Sequence, residues 1–229
     1  MEDSEIFLLK TAHVSQKSVR EVEEKIKEFN PDIVAVELDL YRYRAFKKDN
    51  IKKRKISLRK ILKNPFSSLL HYLLSNVQKK IGRDLGVKPG SEMIKAIEVA
   101  KEKNIPVLLI DRDIKITLNR LRSKMGFFEK LKLIKYLIIG SIGVKGKKID
   151  LKEITEDETV DLLINELRNR FPTVAEVLLD ERDAYMAHRL LKETKRRQRI
   201  LGVMGAGHVK GVEKYLKNPE SLPSKTKLS

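Results

Sequence analysis

Four short apolar runs punctuate the chain: Ile6-Phe7-Leu8-Leu9, Ile33-Val34-Ala35-Val36, Val107-Leu108-Leu109-Ile110 and Ile200-Leu201-Gly202-Val203-Met204. Each is continuous rather than alternating, which predicts strands covered on both faces. Helical spacing lies between them. Ser18 and Glu21 form an S-x-x-E capping box ahead of Val22, Ile26 and Phe29, and Pro31-Asp32 closes that helix. Residues 6–38 therefore read as a βαβ unit, whose right-handed crossover makes the two strands parallel. A helix over about 91–104 leads through Pro106 into the third strand. Thr155 with Glu158 opens another, Pro172 breaks it, and Thr173 with Glu176 caps a helix running to about 197. The fourth strand turns through Gly205-Ala206-Gly207 into a short helix over 209–216. The pattern predicts an α/β fold with a central, mostly parallel sheet flanked by helices. It forms one domain over 1–216, with 217–229 as a polar tail or the start of a linker.

Two stretches break the α/β rhythm. Residues 44–88 read as a basic helical insertion around Leu69-Leu70-His71-Tyr72-Leu73-Leu74, where His71 suits a core or an interface. Residues 117–150 form a second insertion, in which Phe127, Phe128, Leu131, Leu133, Ile134, Leu137, Ile138 and Ile139 interleave with lysines. Both suit lids or packing helices, and a basic amphipathic helix also suits an anionic surface.

Composition narrows the class. At 229 residues, 41% hydrophobic and 35% charged, the chain can bury a core. It has no Cys, which excludes disulfides, thiolate metal sites and thiol nucleophiles. Glu2, Asp3 and Glu5 stand where a signal peptide carries basic residues, and no run approaches the ~18–20 apolar residues of a membrane span. The expected location is cytoplasmic or membrane-associated. The net charge is +17, concentrated between Arg42 and Lys60, from Lys192 to Arg199, and at Lys145, Lys147 and Lys148. These clusters fit a solvated basic face or an anionic membrane surface. They carry no helix-turn-helix, RNP or zinc-finger pattern, so sequence-specific nucleic-acid binding is not expected.

The polar residues fall at strand ends. His13 follows the first run, Glu37 and Asp39 the second, Asp111-Arg112-Asp113 the third and His208 the fourth. In an open parallel sheet these share the carboxyl edge, where such folds bind ligands. Two imidazoles with carboxylates and no thiols suit a divalent metal that takes N and O donors. Each residue also has a plainer reading. His13 could cap the following helix, and His208 could belong to a glycine turn that cradles a phosphate. Asp111 and Asp113 could pair with Arg112 or cap, and Glu37 ends a buried strand where a carboxylate needs a partner or a metal. On the helix that follows Pro172, Glu181, Tyr185 and His188 share one face, with Arg182 one position round. Glu92, inside the helix opened by Gly90-Ser91, could face the same rim.

Taken in order, Thr11-Ala12-His13-Val14-Ser15, Pro31-Asp32-Ile33-Val34-Ala35-Val36-Glu37-Leu38-Asp39 with Arg42-Tyr43, Gly90-Ser91-Glu92-Met93, Asp111-Arg112-Asp113-Ile114 with Thr117-Leu118, Glu181-Arg182-Asp183-Ala184-Tyr185-Met186-Ala187 and Gly205-Ala206-Gly207-His208-Val209 resemble the TraB/PrgY family. That family is grouped with the Tiki proteases and the ChaN-like and erythromycin-esterase-like proteins. The resemblance covers nearly all of 6–216. It implies a ChaN/Tiki-like fold, a link to shutting down peptide pheromones, and metal-dependent proteolysis through paired Gly-x-x-His motifs. The second motif is intact from Gly205 to His208, whereas Lys10 replaces the glycine that opens the first, ahead of His13. Glu37, Arg112, Glu181 and Arg182 match family-typical positions. Longer relatives continue into C-terminal membrane helices, so a membrane-anchored whole is expected.

The resulting expectation is a metal-dependent hydrolase of peptidase type that acts on or inactivates peptides. Mn, Co or Zn would be held by His13, Glu37 and His208. Glu181 or Glu92 would shuttle the proton, and Arg112 or Arg182 would hold a substrate carboxylate or the oxyanion. The alternative is a non-catalytic domain that binds and sequesters a peptide. Expected partners are a peptide, an anionic membrane surface and a second copy of the chain as a homodimer.

Overall fold

The computed structural model describes residues 4–11, 16–47, 90–142 and 156–228. His13, His71 with most of the basic insertion, and Thr155 lie outside the described residues.

All four apolar runs are strands: β1 (Glu5–Thr11), β2 (Ile33–Val36), β3 (Val107–Leu109) and β4 (Arg199–Gly205). They pair wholly in parallel, in the order β1-β4-β2-β3. The helices are α1 (Gln16–Phe29), α2 (Leu40–Lys47), α3 (Ser91–Glu102), α4 (Ile114–Lys124), α5 (Phe127–Ile142) and α6 (Glu156–Arg170), then α7 (Pro172–Ala175), α8 (Glu181–Glu193), α9 (Ala206–Lys217) and α10 (Lys225–Leu228). A π-helical turn, Glu176–Asp180, joins α7 to α8.

The strand order explains the layers. The chain steps outward from β1 to β2 to β3, then returns to insert β4 between β1 and β2. A right-handed crossover changes face when the direction of travel reverses. Hence α1 and α3 cover one face, packing Val22, Ile26, Met93 and Ile97 on Val34, Val36, Leu201 and Val203. On the other face α8 and α9 pack Met186, Leu190 and Val212 on Ile33, Ala35, Ile200 and Met204. Alternate residues of β2 and β4 thus enter opposite cores, which is why these runs are apolar throughout. A third cluster, Leu121, Met125, Leu133, Phe171, Val174 and Val177, joins α4, α5 and α7 beside the sheet.

Several boundaries differ from the sequence expectation. Ser18 lies inside α1 rather than at its cap. Asn30, at φ 44°, ends that helix in the left-handed region, with Pro31 directly after it. Pro172 opens α7 as its first residue with Phe171 as the N-cap, so Thr173 is not the cap. The described part of the second insertion, to Ile142, is two helices divided at Met125-Gly126. No glycine turn follows β4: Gly205 is ordinary extended backbone (φ −64°, ψ 145°), and α9 begins at Ala206. The residues read as a polar tail contain a 3-10 turn and α10, whose Leu228 is buried.

Candidate functional site

Because every strand is parallel, the segments after β2, β3 and β4 leave one edge of the sheet. The crossover helices α3 and α8 run back against the strands. Their first turns return Glu92 and Glu181-Arg182-Asp183 to that same edge.

Glu37 is the first residue past β2, and its amide donates to the Val203 carbonyl of β4 at 3.0 Å. One carboxylate oxygen, Oε2, accepts from the Gly205 amide at 2.8 Å. The other, Oε1, accepts from Arg182 Nη2 at 2.5 Å and lies 3.3 Å from His208 Nε2. His208 sits in the first turn of α9, and its Nδ1 meets Asp183 Oδ1 at 2.5 Å. Glu37, His208 and Asp183 are all buried. An imidazole thus lies between two carboxylates, one at each ring nitrogen. Burial holds the Asp183 carboxyl above its usual range, tempered by the bond to His208.

Arg182 links this group to a second one. Its Nε and Nη2 grip Asp111 at 2.9 and 2.8 Å, and Nη1 donates to the Leu178 carbonyl at 3.1 Å. Burial pulls the guanidinium pKa down, but the Asp111 and Glu37 carboxylates outweigh it and raise the pKa. Arg42 also bonds Asp111, and its Nε reaches Asp39 at 2.5 Å. Burial works to raise Asp111, yet the two guanidiniums hold it below the usual carboxylate range. Asp39 accepts from the Tyr41 and Arg42 amides at 2.8 and 3.0 Å, capping α2. Asp113 caps α4 through the Lys115 amide. Of the two aspartates read as partners or caps of Arg112, Asp113 caps, while the Asp111 side chain pairs with Arg182 and Arg42 and bonds only the Arg112 amide.

Arg112 itself is 1% exposed. Its guanidinium donates to Glu181 Oε2 at 2.6 Å, Thr117 Oγ1 at 3.0 Å, and the carbonyls of Val177 (2.9 Å) and Leu228 (3.2 Å). Glu181 is also bound by Arg120 at 2.6 and 2.7 Å and by Lys124 at 2.7 Å. Burial would raise the Glu181 carboxyl, but bonds from Arg120, Lys124 and Arg112 pull it to about 2. This cluster adjoins a cleft of about 340 Å³ lined by Arg120, Lys124, Tyr215 and Lys227. Farther along the same face of α8, His188 Nε2 lies 2.8 Å from the Pro223 carbonyl. That face is covered by the residues after α9. Glu92 is buried in the first turn of α3.

The structure therefore unites Glu37, Arg182 and His208, and holds Arg112 with Glu181 in a separate cluster. Sequence reasoning passed over Asp183 as the partner of His208. One signal was present: Gly211 stands three residues after His208 within a helix, marking a face that another element approaches. The spacing of His208 Nε2 and Glu37 Oε1 fits two ligands on one ion, since atoms ~2.0–2.2 Å from a metal at tetrahedral angles stand roughly 3.3–3.6 Å apart. Among the described residues no three His, Asp or Glu side chains are grouped to hold a metal.

Comparison with known proteins finds relatives over nearly the whole chain. An uncharacterized protein of Methanocaldococcus jannaschii, MJ1365, is 42% identical over 227 residues, covering 96% of this chain and 55% of that protein. The TraB domain-containing proteins of Mus musculus and Homo sapiens are each 29% identical over 236 residues, covering 92% of this chain and 62% of theirs. The chain thus spans between 55% and 62% of the length of these curated relatives. The model of the TraB/PrgY/gumN family matches residues 1–221, and the chain belongs to that family.

Proposed function

We propose that the chain is a metal-dependent hydrolase acting on peptides, with His208 and Glu37 as two of the metal ligands and His13 as the third. The observation that carries this reading is the 3.3 Å approach of His208 Nε2 to Glu37 Oε1, made while His208 Nδ1 is held by Asp183. A carboxylate on one ring nitrogen fixes the tautomer and turns the other toward a metal. Thr11, the last residue of β1, is in register with Gly205, so β1 ends beside the strand that leads into His208. An ion held there would supply Lewis acidity and an activated water.

The chain's own residues do the rest. Asp183 orients His208, and the Gly205 amide orients Glu37. Arg182, beside Glu37, would hold a substrate carboxylate or a developing oxyanion. Glu181, held near 2 by three cations, stays ionised at neutral pH and does not suit proton transfer, which works best with a pKa near the operating pH. That leaves Glu92 for the shuttle.

The test is divalent-ion titration of protein purified without chelator, followed by turnover of a peptide library with Mn²⁺, Co²⁺ or Zn²⁺. His208→Ala should abolish metal-dependent turnover with the circular dichroism spectrum unchanged. No binding at millimolar metal overturns the reading.

One observation favours the alternative, a domain that binds and sequesters a peptide without catalysis. Both Glu37 oxygens already have partners, Arg182 and the Gly205 amide, so the carboxylate is satisfied by the protein itself. Under that reading peptide binding persists in chelator and no cleavage product forms.

A further inference from the structure

We propose that the outer face of α5 is a docking surface for an anionic lipid bilayer, with Phe127 and Phe128 as its inserting residues. The inner side of α5 is settled: Leu133 is buried in the cluster around Phe171, and the Tyr136 ring meets Phe171 edge-on at 5.4 Å. The opposite side remains in solvent. Phe127 is 69% exposed, Phe128 83% and Leu131 49%, with Ile138 and Ile139 each at 40%. At 100° per residue these five side chains fall within an arc of roughly 120°. A clustered apolar face of this kind marks an interaction site rather than scattered surface residues.

Charge selects the occupant. From Ile114 to Ile142, α4 and α5 carry seven Lys and Arg residues against one acid, Glu129. Lys135 stands among these side chains on the exposed side of α5, whereas Lys132 turns inward, donating to the Arg170 carbonyl at 3.0 Å and lying 5.1 Å from the Phe171 ring. A second copy would set the same basic helices against each other, whereas an anionic bilayer balances their charge as it buries the phenylalanines. With 16 residues α5 reaches only about 24 Å, short of the ~30 Å hydrocarbon core. The mode is therefore a helix lying in the headgroup layer. It is independent of the hydrolase reading, because none of these side chains belongs to the Glu37–His208 group.

The test is co-sedimentation of the full chain with phosphatidylcholine vesicles, with and without phosphatidylglycerol. Binding is expected to the anionic vesicles only, and to fall sharply between ~0.1 M and ~1 M salt as the screening length shrinks from about 10 Å to 3 Å. Replacing both aromatics (F127S/F128S) should weaken binding by about tenfold or more with the melting temperature unchanged, since neither ring is in the core. The chain has no Trp, so Phe128→Trp gives a single reporter. Its emission should shift to the blue on anionic vesicles and be quenched by brominated lipid. Three outcomes overturn the proposal: no sedimentation with anionic vesicles, unchanged binding by the double variant, or an unquenched reporter on bound protein. So does a vesicle-free dimer that the double variant converts to monomer, which would assign the face to a second copy.

Discussion

Gly211 is the residue that lets Asp183 reach His208. A Cβ at position 211 would lie 1.9 Å from Asp183 Oδ2 and 2.6 Å from its Cγ. Glycine inside a helix costs about 1 kcal/mol relative to alanine, so its presence in α9 has a packing reason. Here the reason is the contact between α8 and α9, in which a short carboxylate needs the room a methyl group would fill.

Gly211→Ala should therefore destabilise the fold by about 1–3 kcal/mol despite the better helix propensity. It should also detach His208 from Asp183. Nitrogen chemical shifts of the His208 ring would report this as a changed tautomer balance. An unchanged ring spectrum would mean that Asp183 shifts without releasing the histidine.

Arg182 neutralises two buried carboxylates together, Glu37 and Asp111. Arg182→Gln leaves both short of a cation and should cost about 3–5 kcal/mol in urea denaturation. Arg182→Lys should recover only part of this, because an ammonium cannot reproduce the two-pronged grip on Asp111. A loss below ~1 kcal/mol for the glutamine variant would show that Arg42 alone balances Asp111.

Glu181 should confer an acid-side dependence on stability. Its carboxyl sits near 2 in the folded chain against an ordinary 4.5. Its stabilising contribution is thus complete above about 4.5 and disappears as pH falls toward 2. Glu181→Gln should cost about 2–3 kcal/mol at neutral pH, a figure reduced because Arg120 and Lys124 are partly exposed and screened. The gap between parent and variant should close in denaturation curves taken from pH 5 down to 2. A constant gap would place the effect in packing rather than charge.

Lys10 stands three residues before His13, where the resemblance to a Gly-x-x-His motif implies glycine. It is exposed on β1, in register with Met204 of β4. Lys10→Gly should lower stability by no more than about 1 kcal/mol, from the greater backbone freedom of glycine in a strand. Divalent-ion affinity, measured calorimetrically, should be unchanged or higher. A fall would make Lys10 part of the binding apparatus.

The sequence by itself determined the strands, the parallel class of the sheet and the edge to which the polar residues go. Continuous apolar runs such as 33–36 and 200–204 have a single stable setting, covered on both faces, and parallel strands send every following segment to one edge. That much placed Glu37, Asp111 and His208 at one edge. Which residues touch was decided only by tertiary structure. Inserting β4 between β1 and β2 sets Glu37 against Gly205 and His208, and no local pattern encodes strand order. Successive residues of one helix turn then separate. Arg182 and Asp183 face the Glu37–His208 group, whereas Glu181, 100° round, is taken by Arg112, Arg120 and Lys124. Residue type reveals that a carboxylate can ionise; the number of cations folded around it determines whether it can ever carry a proton.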